Sequence, residues 1–285
     1  MKTRYSITGH ETFACRNFWL KKGFDFEQGT TSFSDKDAVV QLGVGKNMVN
    51  SIRHWLKAFG FDNPKQNASI LEKIFNDNGF DPYLEDINTL WLLHYFLIKN
   101  KNASIYDLFF NKFNPRGEFS FSNFEYFLKS KFEEESFMYS PKSLDNDLKV
   151  FQAMYVRPER SMKSLEDEYT GLFQELSLFD VSSKDQVFIN RSAAKTISPF
   201  IALYVILDQF ENSVSISFNN LLNQENCIGK VFCLNQNSMH EMIEKLTETF
   251  SSIVFKEDAG IKELQIKNRN KIDKTSIIEM YYEQN

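Results

Sequence analysis

The chain has 285 residues, 42% of them apolar, and a net charge of −5, enough to bury more than one core and to form two or three compact domains. Its longest apolar pieces, LWLLHYFLI (90–98) and FIALYVIL (200–207), are less than half of a membrane-spanning helix, and MKTRYSITGHETF lacks the apolar stretch of a secretory signal, so neither a membrane nor a secretory role is expected. Three widely spaced cysteines, Cys15, Cys227 and Cys233, exclude a disulfide framework and fit a reducing cytoplasm.

The first predicted element is a structural helix over ACRNFWLKK (14–22), with Phe13, Phe18, Trp19 and Leu20 as apolar anchors, Lys21 and Lys22 suited to its C-terminus, and Gly23 as its stop. Cys15 needs no chemistry in this reading. His10, Glu11 and Arg16 lie at or near the helix start. Residues 1–60 carry nine Lys and Arg against five acids, a local +4 on an acidic chain. Such local basicity can hold phosphates, because screening confines surface charge to about 10 Å at 0.1 M salt.

Ser34 or Asp35 is predicted to cap a short helix, KDAVVQL, which Gly43 ends. A longer helix is predicted from Lys46 to Phe59, with Val49, Ile52, Leu56 and Phe59 on one face and Gly60 as its stop. LGVGKN between them is not a nucleotide P-loop, since the earlier Gly and the Ser or Thr after Lys are missing. Ala38, Leu42, Gly43, Val44, Val49 and Ile52 instead meet the needs of a helix-turn-helix, in which small and apolar residues let two helices cross closely. Asn47, Asn50, Ser51 and His54 are then expected on the outward face, flanked by Lys46, Arg53 and Lys57. These residue types read base edges and neutralise phosphates. A helical hairpin with a solvated polar face is the competing reading.

Farther along, SILEKIFNDNGF (69–80) is amphipathic, and Asp81-Pro82 is expected to cap a long buried helix in DPYLEDINTLWLLHYFLIKN. His94, inside that helix, is expected to be a hydrogen-bonded core residue. Asp81 and Glu85, one helical turn apart, with Asp86 beside them, offer carboxylates for a divalent metal and metal-assisted phosphodiester cleavage. They serve equally well as a cap and favourable first-turn charges. Further helices are expected over SIYDLFFNKF, FSNFEYFLKSKF and SPKSLDNDLKVFQAMY. The 29 phenylalanines are read as core rather than as base-stacking platforms. A boundary near residue 140 is expected to divide an N-terminal helix-turn-helix DNA-binding and helical domain (1–140) from a C-terminal helical, winged-helix-like domain (141–285).

In the second half, VFIN (187–190) reads as a strand, and SPFIALYVILDQF, SFNNLLN and NSMHEMIEKLTETF read as helices. SSIVFKEDAG and IKELQIK alternate around EDAG as a hairpin. Helix, helix, hairpin is the order of a winged helix. The expected fold class is therefore mainly α, with helix-turn-helix and winged-helix modules, a helical middle and small β-hairpins. The four histidines are too scattered for a zinc motif, Cys227 and Cys233 form no CxxC pair, and no GxSxG nucleophile motif occurs.

Taken together, GHETFACRNFWLKKGFDF, DAVVQLGVGKNMVNSIRHWLKAFG, DPYLEDINTLWLLHYFLI, GKVFCLN and EDAGI resemble the bacterial family of unknown function numbered 4007, most densely over residues 9–98. The resemblance implies a component of a phage-defence system that places phosphorothioate in the DNA backbone, acting with a cysteine desulfurase, a reductase-like ATP pyrophosphatase and an ATPase. It also implies strand nicking, because replacing a non-bridging oxygen by sulfur requires access to one strand. It identifies no catalytic residues. For cleavage, the residues of choice are Asp81, Glu85 and Asp86, with Asp81 and Glu85 as Mg²⁺ ligands, assisted by His10 or Glu11. Lys46, Asn47, Asn50, Ser51, Arg53, His54, Lys57 and Arg16 are the expected DNA contacts. The alternative is a non-catalytic DNA-binding adaptor or regulator that recruits the sulfur-transfer enzymes.

Overall fold

A computed structural model describes residues 5–62, 68–157, 171–183 and 186–284. Lys2 and Arg4 of the basic N-terminal region lie outside them. The chain divides into two compact units, residues 1–189 and 190–285, mostly helical and each with a three-stranded antiparallel sheet. Ser140, at the boundary drawn from sequence, lies within the first unit.

The first unit begins with α1 (Asn17–Glu27), α2 (Ala38–Leu42) and α3 (Lys46–Phe59). Gly23 does not stop α1 but sits inside it. A Cβ there would lie 2.7 Å from Ile52 Cγ2 and 2.8 Å from Leu56 Cδ1, so the missing side chain lets α1 pack closely on α3. Asp35 accepts from the Ser32 amide in the preceding turn rather than capping α2, whose N-cap is Asp37 without a side-chain bond. Gly43 (φ 61°) and Gly60 (φ 89°) end α2 and α3 in the left-handed conformation that favours glycine. Ala38, Leu42 and Val49 join Phe26 in a small core, with Val44 packed against it, while Ile52, Trp55, Leu56 and Phe59 are buried along α3.

After α4 (Ala68–Phe75), the chain enters α5 at Ile87 rather than Pro82 (Ile87–Asn100). Residues 81–86 form a loop in which Leu84 takes φ 59°, a left-handed conformation incompatible with a continuous helix. Asp86, not Asp81, is the N-cap, and its Oδ1 accepts from the Asn88 amide at 2.8 Å. α5 is buried from Asn88 to Ile98, as an all-round apolar helix requires. His94 within it bonds Tyr155 Oη at 2.9 Å.

α6 (Ser104–Asp107) runs into a π-helical turn, Leu108–Phe113, followed by α7 (Phe121–Glu134) and α8 (Pro141–Tyr155). Phe109 packs its ring against those of Phe119, Phe124 and Phe151, with centroids 4.9–5.1 Å apart, so this phenylalanine-rich stretch is core. β1 (Glu118–Phe119), β2 (Phe179–Ser183) and β3 (Gln186–Ile189) pair in the order β1-β3-β2, with Glu118 and Asp180 both opposite Phe188.

The second unit runs α9 (Pro199–Gln209), β4 (Ser215–Ser217), α10 (Phe218–Asn223), α11 (Ile228–Val231), α12 (Gln236–Thr249), β5 (Ile253–Asp258), β6 (Ile261–Ile266) and α13 (Lys274–Gln284). Ser198 caps the buried α9, and Asn235 with Ser238 forms a capping box on α12. The hairpin forms where expected and turns at Ala259 (φ 47°) and Gly260 (φ 80°); β4 adds to it in the order β4-β6-β5. Cys227 and Cys233 are buried free thiols, and burial pushes both up to about 12. No helix among the described residues is long and apolar enough to cross a membrane.

Candidate nucleic-acid interface

The outer face of α3 follows from its buried one. With Val49, Ile52, Trp55, Leu56 and Phe59 inward, the helical repeat leaves Lys46, Asn47, Asn50, Arg53 and Lys57 exposed along one side. Ser51, expected on this face, is fully buried, because α3 buries Ser51 and Ala58 as well as its apolar stripe. Its hydroxyl has no hydrogen-bond partner among the described residues. Five of the expected contacts thus share one stripe, and His54 sits half-buried at its edge.

The segment before α1 is laid against this helix. Glu11 and Thr12 both hold left-handed backbone angles, φ 52° and 76°, and Glu11 Oε1 accepts from Asn50 Nδ2 at 3.1 Å. Gly9 (φ 116°) passes His54 so closely that a Cβ would lie 2.5 Å from its Nδ1. Phe13 O accepts from Trp55 Nε1 at 3.1 Å, fixing the segment's far end.

His10 does not face the stripe. It is buried, with its ring 6.4 Å from Trp55 and nearly parallel to it. The Thr12 amide donates to its Nδ1 at 3.2 Å, so Nε2 carries the proton and donates to Asp147 Oδ1 at 2.6 Å. Burial raises the Asp147 carboxyl, and the His10 bond opposes that shift. Tyr106, fully buried, is raised well above the usual phenol range, first by burial and then by the charge of Asp147. Sequence reading missed both Asp147 and Tyr106, for no local pattern joins them to His10. Burial lowers His54 to about 4, with smaller contributions from the neighbouring His10 and Lys57.

Arg16 is the N-cap of α1, and its guanidinium lies over the Trp19 ring at 4.9 Å and beside Phe13. That stacking gives it a structural task.

Asp81, Glu85 and Asp86 are close in sequence but not arranged as metal ligands. Asp81 is buried, and its two carboxylate oxygens accept from the Glu85 and Asp86 amides at 2.8 and 3.1 Å. Glu85 is exposed, and Asp86 is spent on capping α5. The three therefore do not fit a Mg²⁺ site, and no group of three or more His, Cys, Asp or Glu side chains among the described residues is placed to hold a metal.

A cavity of about 670 Å³ opens beside the C-terminal half of α3. Its walls are residues 5–8, His54 and Lys57, Lys101 and Asn102, and residues 137–140 with Ser143. The Ser6 and Ser104 main chains and the Ser104 hydroxyl hold the first wall in place.

The model of the family described as proteins of unknown function, DUF4007, matches residues 7–282. No curated protein matches the chain. Among solved structures, the chain is similar to a crystal structure of SspB, with 25% identity and a TM-score of 0.83, and to a magnesium ion-bound SspB, with 25% identity and a TM-score of 0.81. Each match covers 98% of this chain and 88% of the other.

Proposed function

The chain belongs to the DUF4007 family, and on that premise we propose that it is the DNA-docking component of a bacterial phosphorothioation defence system, working in the cytoplasm with sulfur-transfer proteins. The likeness to SspB over nearly the whole chain supports the system assignment. The observation that carries the docking is the exposed stripe Lys46, Asn47, Asn50, Arg53 and Lys57 on a helix held by a glycine turn and a buried apolar face. Cations flanking carboxamides supply phosphate neutralisation and base-edge contacts on one surface.

A helix-turn-helix is the corresponding reading of α2 and α3. The order α9-β4-α10-α11-α12-β5-β6, with β4 paired to β6, supports a winged helix in the second unit. Its α12 exposes Glu241, Glu244 and Glu248, so DNA docking is assigned to α3. Titration of a labelled duplex at rising salt tests the docking: affinity should fall steeply with salt. Binding that ignores salt would remove it.

Strand nicking is the second reading, favoured by the likeness to a magnesium ion-bound SspB. Relaxation of a supercoiled plasmid by the purified protein, with Mg²⁺ or with EDTA, decides it. An open circle only with Mg²⁺ supports a nickase. Its absence leaves the non-catalytic adaptor.

A further inference from the structure

We propose that the cavity beside α3 receives one nucleotide of a DNA strand, its base against Phe137 and Tyr139 and its phosphate between Lys57 and Lys101. This rests on the docking reading and names what the interface does with the strand it holds. Four observations carry it.

The first is continuity. Lys57 is both the last residue of the exposed α3 stripe and part of the cavity wall, and His54, at the stripe's edge, lines it too. A strand held along α3 therefore leads into the opening. The second is charge. The lining contains two lysines and no carboxylate, on a chain whose net charge is −5. Lys57 makes no ion pair among the described residues. Lys101 is half-exposed and pairs at 3.5 Å with Asp107, a carboxylate outside the cavity lining. The ligand complementary to two lysines without a carboxylate in the lining is an anion.

The third is the aromatic wall. Phe137 and Tyr139 are half-buried, and both pack against Phe132, with centroids 5.0 and 5.1 Å away. Tyr5 braces Phe137 edge-on at 5.3 Å. Rings fixed from behind while lining a cavity give a base a firm stacking surface at little entropic cost. The fourth is size and polarity. About 670 Å³ falls within the range of small-ligand sites, and the Asn102 amide with the Ser140 and Ser143 hydroxyls supplies donors and acceptors for sugar and base edges. A base drawn from a duplex must leave its stack, and a lined pocket with a stacking wall offsets that cost.

The test uses the full-length protein and fluorescence anisotropy with two probes, a labelled single-stranded oligo-dT and a labelled duplex. Lys101→Gln and Tyr139→Leu remove one charge and one ring while keeping side-chain bulk. Each should weaken oligo-dT binding about tenfold and leave duplex affinity within about twofold. Lys46→Ala should do the reverse, and circular dichroism checks that each variant is folded. A duplex bound normally while oligo-dT is ignored, or is bound alike by wild type and pocket variants, overturns the nucleotide pocket and leaves the docking reading intact. Failure to bind either probe overturns both. Thymidine 5′-monophosphate as competitor separates a strand from a free nucleotide: displacement of oligo-dT at concentrations below the oligonucleotide's own dissociation constant would assign the pocket to free nucleotides and overturn the proposal.

Discussion

His10 Nε2 and Asp147 Oδ1 meet at 2.6 Å across 137 residues of chain, tying the segment that precedes α1 to the middle of α8. Both side chains are buried, and the second oxygen of Asp147 has no partner among the described residues. Asp147→Leu removes the acceptor and leaves the His10 N–H unpaired, which should cost about 3 kcal/mol of stability. Asp147→Asn keeps an acceptor and should cost about 1 kcal/mol. Urea denaturation measures both; equal losses would show that packing, not the hydrogen bond, is what Asp147 supplies.

His54 makes stability depend on pH with a definite sign. Its pKa falls from 6.5 to about 4 on folding, chiefly through burial. Between those values the unfolded chain binds a proton that the folded one refuses, so stability should decline as pH drops from 6.5 to 4 and stay level below, where both states are protonated. The full loss from this group is about 3 kcal/mol. Denaturation midpoints of the wild type and His54→Gln across this range check it, since the variant should lack that part of the slope.

Replacing Lys46, Arg53 and Lys57 together by Ala should weaken duplex binding and lower the slope of log affinity against log salt by about 2.7, near 0.9 for each lost phosphate contact. All three are exposed, so thermal stability should change little. An unchanged salt slope would place the DNA elsewhere.

Asp81→Ala should cost about 2 kcal/mol, because two amides of the loop before α5 lose their acceptor. Glu85→Gln should be nearly silent, as the side chain is exposed. If Asp81 braces the loop, its loss is the same in Mg²⁺ and in EDTA. A loss confined to Mg²⁺ solutions would restore it as a ligand.

Local signals were legible where they decided local structure. The bounds of α3, its terminating Gly60 and the turn at Gly43 could be read from helical spacing and glycine placement. The same logic misled at Gly23, whose missing Cβ serves a neighbouring helix, and at Asp81-Pro82, where Leu84 in a left-handed conformation defers the helix to Ile87. Ser51 was misplaced because α3 buries more than one stripe of its circumference. The His10–Asp147 pair could not be read at all, since only the packing of α8 brings its second member near. Of the expected DNA contacts, the five on one stripe were visible from the repeat alone, whereas the stacking role of Arg16 depends on where Trp19 lies.

Glu11, bound to Asn50, places a negative charge in the middle of an otherwise cationic stripe. Lys46 and Lys57 stand eleven residues apart, about 16 Å along the helix axis. A major groove is about 12 Å wide. For a helix lying across such a groove, the two lysines would reach opposite sugar-phosphate rails while Glu11 pointed at the floor between them, away from either rail. There a carboxylate accepts a hydrogen bond from a cytosine amino group, and half of Asn50's donor capacity is already engaged. The acid would then act as a filter on base identity, and Glu11→Gln would relax sequence preference more than it changed overall affinity.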